Sequence, residues 1–490
     1  MAKVCLILGQ KSLTENSELL KQYEGDYDLV EVRADYLDPE AWDYLNRWGE
    51  NLPCPAILTL RLPEDGGVFK GGAPSRRAFF EKAVHGPWSY LDIEAAYPLP
   101  SHEKAFIDQG GTIVRSFHDF HGIPQDWVER LKAASGTGYL PKVAVTPKTT
   151  KELNEFLIKA LDLAEVPKVL LAMGTLGTPT RILAEKLGST WTYGSATHKI
   201  LAPGLLDAPT LNHLYSVRDL KKTTKIYGIL GNPVVQTKSP RIHNPAFSEL
   251  DLDSVYLPFQ GDNFLDFLET AEILNIQGLS ITIPFKEEAA RWLGTKASTR
   301  VQTIGACNTL YKDKKGVWQG ENTDAPGFLA PLLRTLGNRS LKGLPVTVLG
   351  TGGAARGVVY ALTQAGAEVL VLGRRENKVQ ELVRDFNVAG GPLLAESLAD
   401  LRAHSQVIVQ TTSVGMGDQE GFNPIEWYTW KGHEIAYDVI YNPEKTTFLA
   451  AAEKHGCYTI GGLPMLWEQA YRQFELFTGQ KYPESLKLKY

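Results

Sequence analysis

The sequence predicts an α/β protein with more than one domain, and two observations support this prediction. First, 490 residues with 43% apolar content are more than one hydrophobic core usually serves. Second, short apolar runs of β-strand type alternate with helical stretches along the chain. Eight such runs within the first 215 residues have the size and rhythm of a (β/α)8 barrel.

Each of the eight predicted barrel strands is a short apolar run with polar residues near its end. Parallel strands buried on both faces are typically such near-continuous apolar runs. In chain order they are "VCLIL", "DLVEVRAD", "AILTLR", "SYLDIEA", "TIVRSFHDF", "PKVAVT", "KVLLAMG" and "TWTYG".

The composition excludes several classes of function. A formal net charge of −5 without a basic run predicts small-molecule partners rather than nucleic acid. No charged and apolar leader precedes the first strand and no apolar run reaches membrane-spanning length, so we expect a soluble, cytoplasmic protein that does not bind membranes.

The four cysteines are far apart, with neither C-x-x-C spacing nor a dense framework. This usage suits a reducing compartment, and we interpret the cysteines as packing residues. No cluster of histidine, cysteine and carboxylate residues has the spacing of metal ligands, so we expect no metal.

Several predicted barrel strands end in charged or titratable residues. In a (β/α)8 barrel the carboxyl ends of the strands face the active site. One such residue alone has an ordinary explanation, since a lone lysine extends its ammonium to solvent and a lone histidine is more often a core residue. All of them at one barrel mouth predict an active site: Glu31, Arg33, Asp35, Arg61, Glu94, His118 and Lys142.

Lys142 lies inside the apolar strand "PKVAVT", which predicts a lysine among apolar walls. Such a lysine loses hydration of its charged form, so its pKa falls and a neutral amine becomes available to attack a carbonyl. The resulting imine acidifies the neighbouring carbon and calls for a general base. His118, one strand earlier, supplies that base, so the pair predicts elimination or aldol chemistry.

The second half of the chain begins after a charged stretch from Arg218 to Lys225, which we interpret as a linker. The alternation of strands and helices resumes with "IYGILG", "SVYLPF" and "LSITIPF". Further on, the segment from 344 to 375 predicts a self-contained βαβ unit. Within it, Gly350, Gly352 and Ala355 match G-x-G-x-x-G/A at a helix start and predict a dinucleotide-binding, Rossmann-like domain.

The end of the second strand of this unit indicates which dinucleotide binds. An NAD site has an acidic residue there for the ribose 2′-hydroxyl. Here Arg374 and Arg375 follow Gly373, with Lys378 nearby. Arginines at this place suit a 2′-phosphate, so we expect NADP as the cofactor.

Two further residues are candidates for proton transfer. Lys286 in "TIPFKEE" and Asp324 in "ENTDAPGF" each follow a strand at the start of a helix. Taken singly, Lys286 is compatible with a solvated helix start and Asp324 with a helix N-cap.

The N-terminal half resembles the type I 3-dehydroquinate dehydratases in "EVRADYL", "TLRLPEDGG", "SFHDFHGIP", "PKVAV" and "APG". The resemblance implies that Lys142 forms a Schiff base, that His118 is the acid and base, and that Asp65 keeps a carboxylate where the family has glutamate. It implies substrate binding by Glu31, Arg33, Arg61 and Arg181.

Two leucines depart from the family's pattern. In "LAPGLLD" the family has serine and glutamine where this chain has Leu201 and Leu205. Leucine cannot donate or accept a hydrogen bond, and a lost contact of this kind costs about 1 to 3 kcal/mol. We therefore expect weaker capture of the substrate by the barrel.

From about residue 225 the chain resembles the shikimate dehydrogenases in "NPVVQTKSPRIHN", "SITIPFKEE", "GACNTLY", "GENTDAPGF", "TTSVGM", "DVIYNP" and "GGLPMLWEQA". The resemblance implies a two-lobed unit in which Lys286 and Asp324 form the catalytic pair. The substrate-binding residues that it implies are Thr237, Ser239, Thr282, Asn308, Tyr441 and Gln469. The NADP-binding residues that it implies are Gly350, Gly352, Gly353, Ala354, Arg374, Arg375, Lys378, Thr412 and Gly462.

The domain boundaries that we predict follow from both resemblances: a barrel at 1–215, a linker at 216–225, a substrate-binding catalytic domain at 226–332, an NADP-binding domain at 333–462 and a C-terminal helical segment at 463–490 that returns to the substrate domain. Together they imply a bifunctional lyase and oxidoreductase of the shikimate pathway, which serves aromatic amino acid biosynthesis.

Two alternatives stay open at this point. One is a monofunctional shikimate or quinate dehydrogenase with a degenerate barrel as a structural or binding module, which Leu201 and Leu205 favour. The other is a quinate or shikimate dehydrogenase that works oxidatively, for which Thr237, a serine in most of the family, is a specificity change. The sequence does not indicate an oligomeric state.

Overall fold

The structure is a computed structural model that describes residues 2–163, 165–196, 204–234, 237–337 and 339–488. Contacts within the chain define two compact units. The first contains Met1–Gly228, Val234–Phe247 and Leu252–Ile276, and the second contains Ile229–Pro233, Ser248–Asp251 and Gln277–Tyr490.

A parallel nine-stranded sheet forms the N-terminal part of the first unit, in the order β7-β6-β5-β4-β3-β2-β1-β8-β9. All eight predicted barrel strands are present, so this part of the predicted fold is confirmed. The strands are β1 (Lys3–Leu8), β2 (Leu29–Arg33), β3 (Ala56–Thr59), β4 (Tyr90–Glu94), β5 (Thr112–Asp119), β6 (Tyr139–Val145), β7 (Val169–Ala172), β8 (Trp191–Ser195) and the short β9 (Leu206–Asp207).

Helices alternate with these strands, as the crossover connections of a parallel sheet require. Polar caps begin two of them: Ser12 forms a capping box with Glu15, and Thr149 accepts a hydrogen bond from the Glu152 amide. The helices are α1 (Leu13–Gln22), α2 (Leu45–Gly49), α3 (Ala73–Ala83), α4 (Pro100–Asp108), α5 (Trp127–Ala133), α6 (Thr150–Asp162) and α7 (Gly174–Ile182).

The seam between β7 and β8 is joined by one isolated parallel bridge, Lys168 to Ser189. The side chain of Lys168 is fully buried beside this bridge. Its ammonium donates hydrogen bonds to the carbonyl oxygens of Leu163, Val166 and Gly188 at 2.5, 3.3 and 3.3 Å. Lys168 therefore satisfies carbonyl groups on both sides of the seam, where a continuous ladder is missing.

Alternate residues of the strands point into the barrel. The apolar ones form a buried group that we call the barrel cluster, against which Tyr90, Phe120 and Leu205 also pack. Its members are Cys5, Ile7, Leu29, Ile57, Val114, Leu140, Ala144, Val169, Leu171, Met173, Trp191 and Tyr193.

A second sheet has five strands in the order β11-β10-β12-β13-β14. They are β10 (Lys225–Gly231), β11 (Ser254–Gln260), β12 (Ile276–Ile281), β13 (Thr309–Lys312) and β14 (Trp318–Glu321), and β12, β13 and β14 pair antiparallel. The helices of this region are α8 (Ser239–Glu249), α9 (Phe264–Ile273), α10 (Lys286–Leu293), α11 (Thr299–Ile304) and α12 (Asp324–Thr335).

A third sheet has six parallel strands in the order β17-β16-β15-β18-β19-β20, which is the strand order of a dinucleotide-binding fold. They are β15 (Pro345–Leu349), β16 (Glu368–Gly373), β17 (Ala389–Pro392), β18 (Val407–Gln410), β19 (Ile435–Asp438) and β20 (Tyr458–Ile460). Its helices are α13 (Gly353–Gln364), α14 (Glu376–Phe386), α15 (Leu398–Ala403), α16 (Thr447–Lys454) and α17 (Gly462–Thr478). The predicted βαβ unit corresponds to β15, α13 and β16 and is confirmed.

Among the described residues, no helix combines the length and the apolar character that crossing a membrane would require. The same part of the chain contains no group of three or more histidine, cysteine, aspartate and glutamate side chains placed to hold a metal ion. The four cysteines are free, and Cys5, Cys307 and Cys457 are buried.

Candidate active sites

Lys142 lies in the interior of the barrel, on β6, and only 4% of it is exposed. Its Nζ lies 3.0 Å from Asp92 Oδ2 and 3.5 Å from Glu31 Oε1. Thr59 donates a further hydrogen bond to the same Glu31 oxygen at 2.8 Å. Our sequence-based expectation of apolar walls around this lysine was incomplete, because carboxylates from β4 and β2 reach the ammonium across the barrel interior.

Asp92 connects Lys142 to Arg61. Arg61 Nη2 donates to Asp92 Oδ2 at 2.6 Å, and Ser116 Oγ donates to Asp92 Oδ1 at 2.5 Å while accepting a hydrogen bond from Arg61 Nη1 at 2.6 Å. Burial raises the pKa of Asp92, but the charges of Arg61 and Lys142 outweigh it and hold that pKa well below its usual range. Asp92 is therefore a fully buried, ionised carboxylate.

His118 lies on β5, one strand from Lys142, and pairs with Asp65 at the end of a short 3₁₀ turn. Its Nδ1 and its backbone amide lie 3.1 and 3.2 Å from Asp65 Oδ1, and its ring stacks on Phe120. Burial, followed by the charge of Arg61, lowers the pKa of His118 to about 4, although the hydrogen bond with Asp65 opposes this shift. The imidazole is therefore neutral at pH 7 and oriented by a carboxylate.

Arg33 and Arg181, two of the arginines predicted to bind the substrate, are both buried. Arg33 forms a two-pronged ion pair with Asp35, with nitrogen–oxygen distances of 2.9 and 2.8 Å. Arg181 lies in α7 with 1% of it exposed, and burial lowers its pKa to about 10. Both side chains belong to the barrel part of the first unit.

Of the two leucines that depart from the family's pattern, Leu201 lies outside the described residues. Leu205 is half-buried and packs against the barrel cluster. A Cβ at its neighbour Gly204 would lie 2.3 Å from the Gly174 carbonyl oxygen, so this segment passes close to the start of α7, beyond the carboxyl end of β7.

Three polar residues of the barrel site were missed by the sequence analysis: Thr59, Asp92 and Ser116. A pattern was available for Asp92, because Asp92 and Glu94 alternate on β4 and so share one face of the strand. Its partners come from β5, from β6 and from the segment just after β3, and only the strand order brings them together.

The second candidate site lies in the second unit, where Lys286 begins α10 and Asp324 begins α12. Lys286 Nζ lies 2.6 Å from Asp324 Oδ2, and their side chains are 15% and 7% exposed. Asp324 is the first residue of its helix, and its side chain pairs with the lysine rather than capping the helix. Lys286 is therefore not a solvated residue at a helix start, and Asp324 is not a helix N-cap.

Asn308 organises the groups around this pair. Its Nδ2 donates to Asp324 Oδ1 and Thr323 Oγ1, both at 2.9 Å, and to Gln469 Oε1 at 3.4 Å. Its Oδ1 accepts the Thr323 amide at 2.7 Å. Gln473, which the sequence analysis missed along with Thr323, donates to the Asn308 carbonyl at 3.1 Å. The predicted residues Asn308, Asp324 and Gln469 thus share one buried network.

The other predicted substrate-binding residues are placed as follows. Thr237 Oγ1 and Ser239 Oγ lie 3.2 Å apart in the first unit, at the start of α8. In the second unit, Thr282 begins the turn that leads into α10, and its amide donates to the Leu230 carbonyl at 2.9 Å. Tyr441 is half-buried, three residues beyond the end of β19.

The glycine-rich turn after β15 leaves room for a ligand. Gly350 has φ +117°, and a Cβ there would lie 2.6 Å from Thr411 Oγ1, so only glycine fits without strain. A Cβ at Gly353 would lie 3.3 Å from the Lys286 Cβ, which places the start of α13 beside the catalytic candidate. A 12-residue helix whose first amides face this turn suits a pyrophosphate.

The predicted phosphate-binding arginines follow β16. Arg374 and Arg375 are exposed, and neither guanidinium pairs with another residue in the ranges that the structure describes. Lys378 forms an ion pair with Glu381 at 2.8 Å. Thr412 lies near Gly350, and the amide of Gly462 donates to the Ile440 carbonyl at 3.0 Å. These residues fit a dinucleotide with an additional phosphate.

Family models match both halves of the chain. The model described as type I 3-dehydroquinase matches residues 4–222, and the model of the shikimate dehydrogenase substrate-binding domain matches residues 229–310. The model of the shikimate 5′-dehydrogenase C-terminal domain matches residues 462–486.

Individual relatives give the same result. A bifunctional 3-dehydroquinate dehydratase/shikimate dehydrogenase, chloroplastic, from Arabidopsis thaliana is 32% identical over 96% of this chain and 80% of the relative. A shikimate dehydrogenase (NADP(+)) from Carboxydothermus hydrogenoformans is 39% identical over 53% of this chain and 94% of the relative.

A solved structure, that of the shikimate dehydrogenase from Aquifex aeolicus, is 32% identical and has a TM-score of 0.50, covering 55% of this chain and 97% of that one. The match to the Arabidopsis relative extends over nearly all of both halves. The chain therefore belongs to the family of bifunctional 3-dehydroquinate dehydratase/shikimate dehydrogenases.

Proposed function

We propose that the barrel dehydrates 3-dehydroquinate to 3-dehydroshikimate and that the second half reduces this product to shikimate with NADPH. The observation that carries the first activity is the buried Lys142, held by Asp92 and Glu31 beside a neutral His118. The observation that carries the second is the Lys286–Asp324 pair beside the glycine-rich turn.

In the barrel, Lys142 passes a proton to Glu31, 3.5 Å away, and the neutral Nζ forms a bond with the ketone carbon. The carbonyl oxygen takes up two protons and leaves as water, so that a protonated imine remains. Neutral His118 then removes a proton from the adjacent carbon and returns it to the departing hydroxyl, which leaves as a second water. Hydrolysis of the imine releases the product and restores the amine.

Substrate binding in the barrel is assigned to Glu31, Arg33, Arg61 and Arg181. Glu31 also contacts Lys142, and Asp65 orients His118. Burial strengthens such charge-assisted contacts. Leu205 packs against the barrel cluster. It is an apolar side chain at the position where the family has a glutamine that can form hydrogen bonds. A raised KM for the dehydratase therefore stays a prediction.

In the second half, NADPH supplies a hydride to the carbonyl carbon when it is bound. Lys286 stabilises or protonates the developing alkoxide, and Asp324 and Asn308 fix the position of its ammonium. The turn from Gly350 to Ala354 would hold the pyrophosphate, Arg374 and Arg375 the 2′-phosphate. Thr237, Ser239, Thr282, Tyr441 and Gln469 are assigned to the substrate's carboxylate and hydroxyls, and Lys378, Thr412 and Gly462 to the cofactor.

The domain boundaries given above remain predictions, as does the cytoplasmic location. The name of the Arabidopsis relative includes the word chloroplastic, which concerns that protein. The small-molecule partners that we propose are 3-dehydroquinate, 3-dehydroshikimate and shikimate.

Borohydride should trap 3-dehydroquinate on Lys142, since an imine is reduced to a stable amine. Mass spectrometry of the digested protein should locate the adduct on the peptide that contains this residue. Lys142→Ala should abolish both the adduct and dehydration and leave reduction of 3-dehydroshikimate intact, whereas Lys151→Ala, at an exposed lysine of α6, should retain all three. An adduct on another lysine, or none at saturating substrate, would contradict the mechanism and favour a degenerate barrel.

The dehydratase should remain active at unusually low pH. Because the pKa of His118 lies at about 4 rather than 6.5, the base loses its function only as pH falls through that value. The kcat/KM for 3-dehydroquinate should therefore be flat from pH 7 down to about 5. Asp65→Asn removes a hydrogen bond that raises this pKa and should move the acid limb lower still. A limb near pH 6.5 in a folded protein would refute this assignment.

Lys286→Met should lower the kcat for 3-dehydroshikimate by about 100-fold or more with a small change in KM, because an ammonium aimed at a developing alkoxide acts mainly in the transition state. Steady-state kinetics at saturating NADPH measure both constants. Asp324→Asn should act in the same direction, and the exposed Lys296→Met serves as the matched control. If only KM rose, Lys286 would be a binding residue alone.

The preference for NADPH over NADH should depend on the two arginines after β16. A charge-assisted hydrogen bond to phosphate contributes about 1.5 to 3 kcal/mol, and the exposure of these side chains places the effect at the lower end. Arg374→Ala or Arg375→Ala should therefore reduce the ratio of the two kcat/KM values by about tenfold. Arg384→Ala, at the far end of α14, is the control, and equal kcat/KM for both cofactors in the unaltered protein would exclude this role.

A further inference from the structure

The aromatic ring of Tyr193 lies against the catalytic lysine. Tyr193 is on β8, is 3% exposed and belongs to the barrel cluster. Lys142 Nζ lies 4.5 Å from the centroid of its ring. With Asp92 at 3.0 Å and Glu31 at 3.5 Å, the ammonium is in contact with two carboxylates and one aromatic face.

The hydroxyl of Tyr193 does not hold the lysine. It is buried and makes no hydrogen bond with Lys142. Burial, followed by the charge of Glu31, raises the pKa of Tyr193 well above its ordinary value, so the side chain is neutral. The contact with Lys142 is therefore made by the face of the ring.

Nζ carries a positive charge at two stages, as the ammonium before the reaction and as the protonated imine during it. When the amine bonds to the ketone carbon and the oxygen leaves as water, the nitrogen of the protonated imine carries the charge that the ammonium carried before. An aromatic face within about 6 Å attracts such a cation, and most strongly where both groups are shielded from water. Lys142 is 4% exposed, so this condition is met.

We propose that Tyr193 is a positioning residue of the dehydratase site, whose ring face holds the charged nitrogen of Lys142 as ammonium and as imine. The proposal rests on the proposed function of the barrel and adds to it a specific contact. The two carboxylates attract the ammonium from other strands, and the ring is the neutral surface against which the nitrogen is oriented toward the ketone.

The test varies the electron density of the ring at nearly constant shape. Phenylalanine and its mono-, di- and trifluorinated derivatives are incorporated at position 193 of the full-length chain. Tyr193→Phe keeps the ring and is the reference of the series. Because fluorine withdraws electron density from the ring face, the dehydratase kcat/KM and the fraction of Lys142 trapped by borohydride should fall stepwise, by about tenfold over the series.

Tyr90 provides a matched control, because its ring packs edge-on against Trp191 at 5.2 Å and no cation lies over it among the described residues. The same derivatives at position 90 should change trapping by less than about twofold. Thermal unfolding of every variant, followed by circular dichroism, reports whether the barrel is folded, and dehydrogenase activity reports the same for the second unit.

The possible outcomes separate this proposal from the proposed function. If the unaltered protein forms an adduct on Lys142 but the fluorinated series is flat, the ring acts only through its shape and the proposal is overturned. Loss of trapping in Tyr193→Phe would overturn it as well, by showing that the hydroxyl is needed. An unaltered protein without an adduct on Lys142 would overturn both.

Discussion

The barrel site depends on a single buried carboxylate, Asp92. It accepts hydrogen bonds from Lys142 on β6, Ser116 on β5 and Arg61, two residues beyond the end of β3, and it is fully buried. A buried charge is tolerated only when it is paired and hydrogen-bonded. Loss of Lys142, Arg61 or Ser116 would therefore leave the charge of Asp92 less well compensated. Two cations around one carboxylate, with Glu31 as the second acid, keep the interior near electrical balance and hold the lysine in the centre of the barrel.

The second site uses the same principle with a different outcome. Lys286 has one carboxylate partner, Asp324, whose other oxygen is bound by Asn308. A lysine paired in this way suits the stabilisation of an alkoxide. The barrel lysine must instead become a neutral nucleophile, and two carboxylates lie within 3.5 Å of its Nζ.

The titratable groups of the two candidate sites are divided between the two compact units. Lys142, His118 and their partners belong to the first unit, while Lys286, Asp324, Asn308 and the glycine-rich turn belong to the second. A Cβ at Gly353 would lie 3.3 Å from the Lys286 Cβ, so the glycine-rich turn and the Lys286–Asp324 pair are adjacent within one unit. This arrangement gives a structural basis for two activities in one chain, in agreement with the match of the Arabidopsis relative over both halves.

By itself, the sequence determined the eight barrel strands, the β15–α13–β16 unit and the positions of Lys142, His118, Lys286 and Asp324, because these features follow from local periodicity and from residues at strand ends. It did not determine which side chains meet. Asp92 and Lys142 are 50 residues apart, and the ring of Tyr193 reaches the same lysine from the other side of the β7–β8 seam. The surroundings of Lys142 and the packing of Leu205 were therefore decided only by the tertiary structure, since strand order and barrel closure bring together residues that no local pattern relates.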